Sequence, residues 1–246
     1  MEIMSSNKIV LFVYDFPHRK SLNCMQLIKN LIVDDVLVVS APKLDLKFRQ
    51  SKRRISVHEH EILNPSDVSK NYGWETLTAI HNSDESIKFL KKYNPDIGII
   101  LGARILSQTV INTFSKGIVN FHPGVLPENR GLDTIKWAIY NKLPQGVTTH
   151  LIDKNIDVGH KIYLDTISIH KEDHIYDISS KLLYLQMDHL KRLIQDGFDF
   201  SYKNSLVSDY VSQKAVPDDI DDKVFEQFDK YKQKYNEILE NYDTRS

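Results

Sequence analysis

The sequence lacks the features that mark several specialised classes of protein. Its 246 residues include a single cysteine, Cys24, which excludes an internal disulfide and any zinc site built from several cysteines. No apolar run approaches the ~20 residues that a membrane span requires, and 32 basic residues almost cancel 33 acidic ones. We therefore expect a cytoplasmic protein that binds neither membranes nor nucleic acid. The length fits one large domain, or one domain with an appendage.

Short apolar runs rich in β-branched residues alternate with helix-like segments along most of the chain. The runs are KIVLFVYD, DDVLVVSA, RRISVHEHEI, DIGIILGA, KGIVNFHP, GVTTHLID and KIYLDTISIH. Helices are expected between them, for example at SDESIKFLKKYN, which begins with residues suited to capping, and at LSQTVINTFSK. This alternation predicts an α/β fold with a Rossmann-like, mostly parallel sheet flanked by helices. Ligands of such folds bind at the carboxyl ends of the strands.

The last third of the chain has a different composition. From Asp173 to about Gly197 the apolar spacing predicts a long amphipathic helix packed on the sheet. Beyond Pro217 the sequence is charged, with one apolar stripe at helical spacing made of Val224, Phe225, Phe228, Tyr231, Tyr235 and Ile238. We expect a C-terminal helix that packs on the domain or on a second copy in a homodimer. The predicted division is a main domain of residues 1–200 and an extension of residues 201–246.

Polar side chains follow the predicted strand KGIVNFHP. Asn120 and His122 are two residues apart and therefore project to the same side of an extended chain. Asp153 and Asp157 lie in a later loop, from which a carboxylate could reach the imidazole. Because no serine or cysteine stands beside the histidine, these residues favour direct transfer to an amine or water over a covalent intermediate. By spacing alone, such a pair is more often part of ordinary structural hydrogen bonding than of a catalytic site.

Two other strand ends carry candidate binding residues. His18, Arg19 and Lys20 precede a helix that begins near Ser21, where cations and a helix start could hold a phosphate. The glycine-rich turn of a dinucleotide-binding domain is absent from that loop, and a solvated surface loop is the alternative. After DIGIILGA, the segment GARILS offers Gly102 for close backbone approach and an apolar lip that could also be plain core.

His58 and His60 in VHEHE are the candidates for a metal site. These two histidines share one face of an extended chain, but their alternation with glutamate is more typical of a half-exposed strand. The sequence therefore predicts no bound metal.

A longer stretch, GIVNFHPGVLPENRGLDTIKWAIYNKLPQGVTTHLIDKNIDVGHKI with LGARILS before it, resembles the folate-dependent formyltransferases. These include glycinamide ribonucleotide transformylase, methionyl-tRNA formyltransferase and the sugar N-formyltransferases. The resemblance covers residues 97–165 and, more generally, the first strands. It rests on Asn, His two residues later, Leu-Pro, Gly and Asp-x-Gly at the family's spacing.

The resemblance implies a role for each matched position and 10-formyltetrahydrofolate as formyl donor. Asn120, His122 and Asp157 match the catalytic trio, while Leu126, Pro127 and Gly131 match the scaffold around the histidine. Two segments match the edges that hold the folate, and their residues are Arg104, Ile105, Leu106, Ile152, Asp153 and Lys154. Asp153 would be the less important of the two acids.

Departures from the family pattern indicate which acceptor is used. YDFPHRKSLN is unlike the glycine- and serine-rich phosphate loop of glycinamide ribonucleotide transformylase, and the chain ends in an acidic helix where methionyl-tRNA formyltransferase has a barrel domain. Gly124 and ENRG are more similar to the sugar N-formyltransferases, which act on nucleotide-linked amino sugars for bacterial surface polysaccharides. The acceptor diphosphate is then expected at His18, Arg19 and Lys20, with the sugar near Arg130 and Trp137.

Three alternatives stay open on the sequence. One is a glycinamide ribonucleotide transformylase-like enzyme. A second is a formyltetrahydrofolate hydrolase, although the first strand is expected from about Lys8, which leaves no room for the N-terminal regulatory domain that such enzymes generally carry. The third is a folate or nucleotide-sugar binding module without catalysis.

Overall fold

A computed structural model describes residues 7–31, 35–44, 50–55, 63–153, 157, 159–201, 204–206 and 210–243. Within these residues, eight strands form one sheet in the order β3-β2-β1-β4-β5-β6-β7-β8. The strands are β1 Ile9–Tyr14, β2 Val36–Ala41, β3 Glu75–Thr78, β4 Ile97–Ile100, β5 Gly117–His122, β6 Gly146–Ile152, β7 Gly159–Thr166 and β8 Asn204–Leu206. The expected α/β architecture is confirmed.

The sheet is parallel from β3 to β5 and antiparallel from β5 to β8. Its strand order reverses at β1, which pairs with β2 on one side and with β4 on the other. In such a sheet the loops after β1 and β4 diverge to opposite faces and leave a crevice at the carboxyl ends of these strands. The described residues therefore offer a ligand site at that edge, beside the end of β5.

Eight helices are described, and they cover both faces of the sheet. They are α1 Arg19–Leu31, α2 Pro65–Asn71, α3 Asp84–Tyr93, α4 Gln108–Ile111, α5 Thr134–Asn141, α6 Ile175–Gln195, α7 Asp218–Gln233 and α8 Tyr235–Asp243. Alternate residues of β1 enter different apolar clusters: Leu11 belongs to the cluster that includes residues of α1, α6 and α7, whereas Val10 belongs to the cluster that includes residues of α3 and α4. Burial on both faces explains why β1 and β2 read as unbroken apolar runs.

The local signal for the start of a helix is confirmed at α3. The hydroxyl oxygen of Ser83 accepts a hydrogen bond from the backbone N–H of Ser86 at 3.2 Å, as expected of a capping serine. At the other end, Asn94 adopts a left-handed conformation with φ 54°, which an asparagine tolerates better than most residues.

Two predicted elements differ from the structure. RRISVHEHEI does not supply the third strand. Residues 53–55 belong to no strand of the sheet, and the remaining residues of this run, including His58 and His60, lie outside the described ranges. The third strand is Glu75–Thr78, a short edge strand that is half exposed and too polar to be recognised as a buried run. LSQTVINTFSK forms only the single turn α4.

The C-terminal segment after Pro217 forms two helices rather than one, with a break at Lys234. Its apolar stripe packs within the chain, since Val224, Phe228, Tyr231 and Tyr235 are all buried. The hydroxyl of Tyr231 donates to the carbonyl of Leu143 at 2.7 Å, which ties α7 to the end of α5. The stripe therefore stabilises this chain, and the homodimer and the boundary at residue 200 stay predictions.

No described helix is both long enough and apolar enough to cross a membrane.

A buried ion pair joins α5 to α7. Lys136 and Asp221 are 2% and 0% exposed, and the lysine ammonium donates to the carboxylate of Asp221. The same ammonium donates to the hydroxyl of Ser51 at 2.8 Å and to the carbonyl of Arg53. A buried charge is tolerated only when it is paired and hydrogen-bonded. This pair therefore fixes the segment of residues 50–55 against both helices.

Replacing Asp221 by Ala should leave the ammonium of Lys136 buried without its counter-ion. We expect a loss of about 3–5 kcal/mol in the free energy of unfolding, measured by urea denaturation. The double variant Lys136→Met/Asp221→Leu should recover most of that loss. Asp222→Ala is the matched control, because this neighbouring carboxylate is 43% exposed where it pairs with Arg53 and should cost less than about 1 kcal/mol. Equal losses for the two aspartates would contradict the assignment.

Candidate active site

The end of β5 places a buried histidine against a carboxylate from a distant loop. His122 is the last residue of β5 and is 4% exposed. Its Nδ1 lies 3.3 Å from a carboxylate oxygen of Asp157, which has a left-handed φ of 49°. The contact that the sequence allowed between this imidazole and a carboxylate is therefore present.

The other ring nitrogen of His122 is also engaged. Nε2 lies 2.8 Å from the backbone carbonyl oxygen of Asn129, which can only accept, so this nitrogen donates. Because the oxygens at both nitrogens are acceptors, the doubly protonated imidazolium is fully hydrogen-bonded here. A direct bond from Nε2 to a substrate oxygen would require release of the Asn129 carbonyl.

Asp157 is held as a carboxylate by several groups. Burial by itself would raise its pKa, but the charge of His122, the hydrogen bond from His122, the backbone N–H of Gly131 and the charge of His150 together lower the pKa to about 2. The Gly131 N–H donates to the second carboxylate oxygen at 2.8 Å. Asp157 is therefore ionised at neutral pH and presents a carboxylate oxygen to Nδ1 of His122.

The loop after His122 fits only without a side chain at position 124. A Cβ on Gly124 would lie 2.6 Å from the Asn129 carbonyl oxygen and 2.8 Å from Nε2 of His122. The loop is also fastened to β6, where the hydroxyl of Thr148 donates to the Gly124 carbonyl at 2.8 Å and accepts from the Leu126 N–H at 3.0 Å. The following Leu126–Pro127 peptide bond is cis.

Asn120 lies two residues before His122 on the same strand and is partly exposed. It pairs in register with His150 of β6, and its amide nitrogen is 3.3 Å from Nε2 of His150. The amide group has two N–H donors, and the alternation of strand side chains puts it on the same side as His122. The three predicted catalytic residues thus lie at one end of β5, and their roles stay predictions.

The segment expected to hold folate follows β4. Gly102 allows the chain to pass closely over β1, because a Cβ there would lie 2.8 Å from the ring of Tyr14 and 3.0 Å from Nδ1 of His18. Ile105 is 63% exposed, while its carbonyl accepts from Asn82 at 2.8 Å. Leu106, by contrast, is buried.

The two predicted folate segments come together in space. Ile152 packs against the same apolar cluster as Leu106. Arg104 lies on the first segment, its guanidinium 3.5 Å from the carbonyl of Leu44. Asp153 ends the described part of the second segment, and Lys154 lies outside the described residues. The described groups form an apolar lip, whose cluster also contains Ile118 of β5.

A cationic cavity of about 260 Å³ opens between the loop after β1 and helix α6. Its walls include the three residues predicted from the sequence together with residues that sequence reasoning missed. The predicted residues are His18, Arg19 and Lys20, and the additional polar ones are Arg54, Ser179, Ser180 and Gln186. Arg54 was missed because it lies 34 residues after Lys20 in the chain. The serines were missed because the α6 pattern indicated only apolar packing.

His18 and Lys20 differ in charge within this cavity. Burial, followed by the charges of Lys20 and Arg54, lowers the pKa of His18 to about 4, so that its ring is neutral at pH 7. His18 therefore adds no positive charge to the cavity at this pH, although its residue type allowed it to be cationic like its two neighbours. Burial lowers the pKa of Lys20 to about 8, and its ammonium donates to the carbonyl of Phe121, between Asn120 and His122, at 3.1 Å.

The two remaining predicted acceptor residues bind another part of the chain. A guanidinium nitrogen of Arg130 donates to the carbonyl of Tyr210 at 2.6 Å, and the indole N–H of Trp137 donates to the carbonyl of Lys214 at 2.8 Å. Neither residue is among those that line the cationic cavity. Their contact with an acceptor stays a prediction.

Among the described residues, no group of three or more histidine, cysteine, aspartate or glutamate side chains is arranged to hold a metal ion.

The ionised state of Asp157 gives the protein a pH-dependent stability. Its pKa is lowered from 3.8 to about 2, so its contribution is fully present above about pH 4 and is lost as the pH falls through 2. The shift corresponds to about 2 kcal/mol. Urea unfolding of the wild type and of Asp157→Asn should therefore differ more at pH 6 than at pH 3. A difference that does not change between these two pH values would contradict the ion pair.

Comparison with known proteins identifies the family. The profile of the formyl transferase family matches residues 7–194. A methionyl-tRNA formyltransferase from Azobacteroides pseudotrichonymphae is 38% identical over 100 residues, which are 40% of this chain and 31% of that protein. GDP-perosamine N-formyltransferase from Brucella melitensis is 29% identical over 119 residues, 48% of this chain and 46% of that protein. The chain thus matches less than half the length of these curated relatives.

The fold is shared with solved structures of low sequence identity. An N-formyltransferase from Helicobacter canadensis, solved in complex with folinic acid and dTDP-3-aminofucose, aligns over 86% of this chain and 73% of its own, with a TM-score of 0.59 and 21% identity. The family match covers most of the chain, including β5 with Asn120 and His122 and the loop with Asp157. The chain belongs to the formyl transferase family.

Proposed function

We propose that this protein transfers the formyl group of 10-formyltetrahydrofolate to the amine of a nucleotide-linked amino sugar. The observation that carries the proposal is the His122–Asp157 pair, which lies beside Asn120 at the end of β5, with an apolar lip and a cationic cavity nearby. Each of these four features matches one need of the reaction: charge stabilisation, a proton path, a surface for the folate ring and a surface for an anionic acceptor.

In the proposed reaction the acceptor amine attacks the formyl carbon. A new carbon–nitrogen bond forms and the formyl oxygen gains negative charge, which the amide N–H of Asn120 stabilises by hydrogen bonding. As the oxyanion collapses, the bond between the formyl carbon and the folate nitrogen breaks. The proton lost by the amine reaches that nitrogen through a water molecule held near Asp157, so that charge and atoms balance.

His122 is proposed to stabilise charge at the end of the strand. Asp157 faces its Nδ1 and the Asn129 carbonyl faces its Nε2, so that a protonated ring has an acceptor for each N–H group. The positive charge of a protonated ring in a water-poor site would favour negative charge on the formyl oxygen. For Nε2 to donate to the formyl oxygen, it would have to exchange the Asn129 carbonyl for that oxygen as its acceptor. Asn120, which is partly exposed, supplies a donor that needs no such exchange.

The donor fits the segments that follow β4 and β6. Ile105 presents an exposed apolar side chain, and the next residue, Leu106, is buried in the apolar cluster against which Ile152 packs. Arg104, Asp153 and Lys154 complete the proposed set. An apolar lip with nearby polar backbone suits a planar ring bearing hydrogen-bonding edges. Support also comes from the Helicobacter canadensis relative, which was solved with folinic acid.

The acceptor fits the cationic cavity. Arg19, Lys20 and Arg54 line it, with the hydroxyls of Ser179 and Ser180 opposite, a combination that suits a diphosphate. His18 adds a neutral ring, while Arg130 and Trp137 are kept as proposed contacts to the sugar. The names of two relatives, one acting on GDP-perosamine and one solved with dTDP-3-aminofucose, favour this acceptor class. The proposal includes synthesis of bacterial surface polysaccharides and a cytoplasmic location.

Replacement of Asn120 or His122 by Ala should abolish formyl transfer while the fold is retained. Loss of an oxyanion donor typically costs ~10²–10³ in rate, and the proposal predicts at least this loss in kcat for each variant. The measurement is formylation of nucleotide-linked amino sugars, followed by mass gain of one formyl group. His170→Ala is the control. This histidine is exposed and follows β7 in the chain, so its replacement should leave full activity.

The same assay separates this function from its competitors. Release of formate with no acceptor present would support a hydrolase instead. Preferential formylation of glycinamide ribonucleotide or of methionyl-tRNA would identify that compound, rather than a sugar, as the acceptor. A folded His122→Ala protein with near-normal turnover would reject the catalytic assignment itself.

Replacement of Arg19 or Lys20 by Ala should raise the Michaelis constant for the acceptor about 10-fold or more, with little effect on that for folate. Because the pKa of Lys20 is about 8, the wild-type acceptor constant should also rise as the pH increases above 8 and the ammonium loses its charge. Lys20→Arg should remove this rise. Lys29→Ala, at the far end of α1, is the control. An unchanged acceptor constant in both alanine variants would remove these residues from the site.

A further inference from the structure

Residues 210–216, which we call the C-terminal strap, cross the loop of residues 129–133. The strap forms a parallel bridge between Gln213 and Gly131, in which the Gln213 N–H donates to the Arg130 carbonyl at 2.9 Å and the Leu132 N–H donates to the Gln213 carbonyl at 3.0 Å. The loop is thus held by backbone hydrogen bonds on both sides of Gly131.

Side chains of the loop and of α5 add three further hydrogen bonds to the strap. Arg130 donates to the Tyr210 carbonyl, Trp137 donates to the Lys214 carbonyl, and a carboxylate oxygen of Asp133 accepts from the Val216 N–H at 3.0 Å. These contacts hold the strap at its beginning, its middle and its end.

The strap lies so close to Gly131 that no side chain fits between them. A Cβ at this position would lie 2.2 Å from the carbonyl oxygen of Gln213, and the φ of 96° is one that residues with side chains rarely adopt. The contact therefore determines where the backbone of Gly131 lies and in which direction its N–H points.

The loop under the strap supplies partners to both members of the ion pair in the active site. The Gly131 N–H donates to Asp157 at 2.8 Å, and the Asn129 carbonyl accepts from Nε2 of His122 at 2.8 Å. Asn129 is itself held by its side chain, which donates to the carbonyl of Thr134 at the start of α5. A shift of Gly131 would therefore move Asp157 relative to the imidazole.

We propose that the C-terminal strap is a positioning element of the active site, and that Asp133 is a positioning residue which acts through Val216, Gly131 and Asp157 on His122. The inference rests on the proposed function for its kinetic consequence. Its structural part, the dependence of the His122–Asp157 contact on the strap, is independent of which acceptor is used.

Asp133 is the most informative position because its conformation permits a matched pair of variants. It has a left-handed φ of 52°, which glycine and asparagine both tolerate. Asp133→Gly removes the acceptor for the Val216 N–H without adding backbone strain. Asp133→Asn keeps an acceptor oxygen in the same place. A difference between the two variants therefore reports on the hydrogen bond to the strap.

The experiment compares kinetics with a direct view of the ion pair. Asp133→Gly should lower kcat for formyl transfer about 10-fold, because misplacement of a catalytic group by a fraction of an ångström has a large effect on rate. The Michaelis constants for folate and acceptor should stay within about twofold. Asp133→Asn should have near wild-type kinetics, and Asp84→Gly, at the exposed start of α3, should be unaffected.

The second measurement uses nuclear magnetic resonance of protein labelled with ¹⁵N-histidine. The imidazole Nδ1 proton of His122, assigned by its loss in His122→Ala, should be unchanged in Asp133→Asn and shifted or broadened in Asp133→Gly. Trp137→Phe, which removes the donor to the Lys214 carbonyl, should shift the same signal. This variant replaces Asp133→Gly in the test if Asp133→Gly does not fold.

An unchanged histidine signal together with an unchanged kcat in Asp133→Gly and Trp137→Phe would overturn the inference. So would a rise in a Michaelis constant with kcat preserved in Asp133→Gly, because that would place the strap at a binding surface. If the wild type transfers no formyl group to any acceptor while the histidine signal still responds to Asp133→Gly, the proposed function fails and the positioning role is supported.

Discussion

The ion pair between His122 and Asp157 is the interaction on which the rest of the site depends. The largely buried carboxylate of Asp157 stays ionised because the imidazole of His122 and the backbone N–H of Gly131 face its two oxygens. The imidazole in turn has an acceptor at each nitrogen, one from Asp157 and one from the Asn129 carbonyl. Position 124 must be glycine for that second acceptor to approach. This charge pair thus accounts for the left-handed conformation of Asp157, for the glycines at positions 124 and 131, and for the close approach of the loop after His122.

The change from parallel to antiparallel pairing at β5 explains how these groups meet. Parallel strands bring the loops after β1, β4 and β5 to one edge, where the cationic cavity and the apolar lip lie. The antiparallel neighbour β6 then presents His150 opposite Asn120 and Thr148 opposite His122. Thr148 fastens the loop that carries Gly124, so that the antiparallel half of the sheet supports residues supplied by the parallel half.

Much of the fold follows from local pattern, and the exceptions have physical reasons. Unbroken apolar runs identified the buried strands, and α3 begins where its capping residues predict. The short strand β3 was missed because an edge strand with one exposed face needs no apolar run. The single turn α4 and the break between α7 and α8 were missed because tertiary packing, rather than spacing, sets where a helix ends. Arg54 and the strap were missed because both reach the site from distant parts of the chain.

The sequence by itself determined the types of residue that the chemistry needs: an amide, an imidazole and a carboxylate, with a glycine and prolines that restrict the loop between them. It also determined the strand and helix segments that bring them near one edge, since periodicity and capping are local properties. Only the tertiary structure decided that His18 is neutral, that both nitrogens of His122 are engaged and that residues 210–216 hold the loop under Asp157. These are properties of burial and of contacts between distant segments, which no local pattern contains.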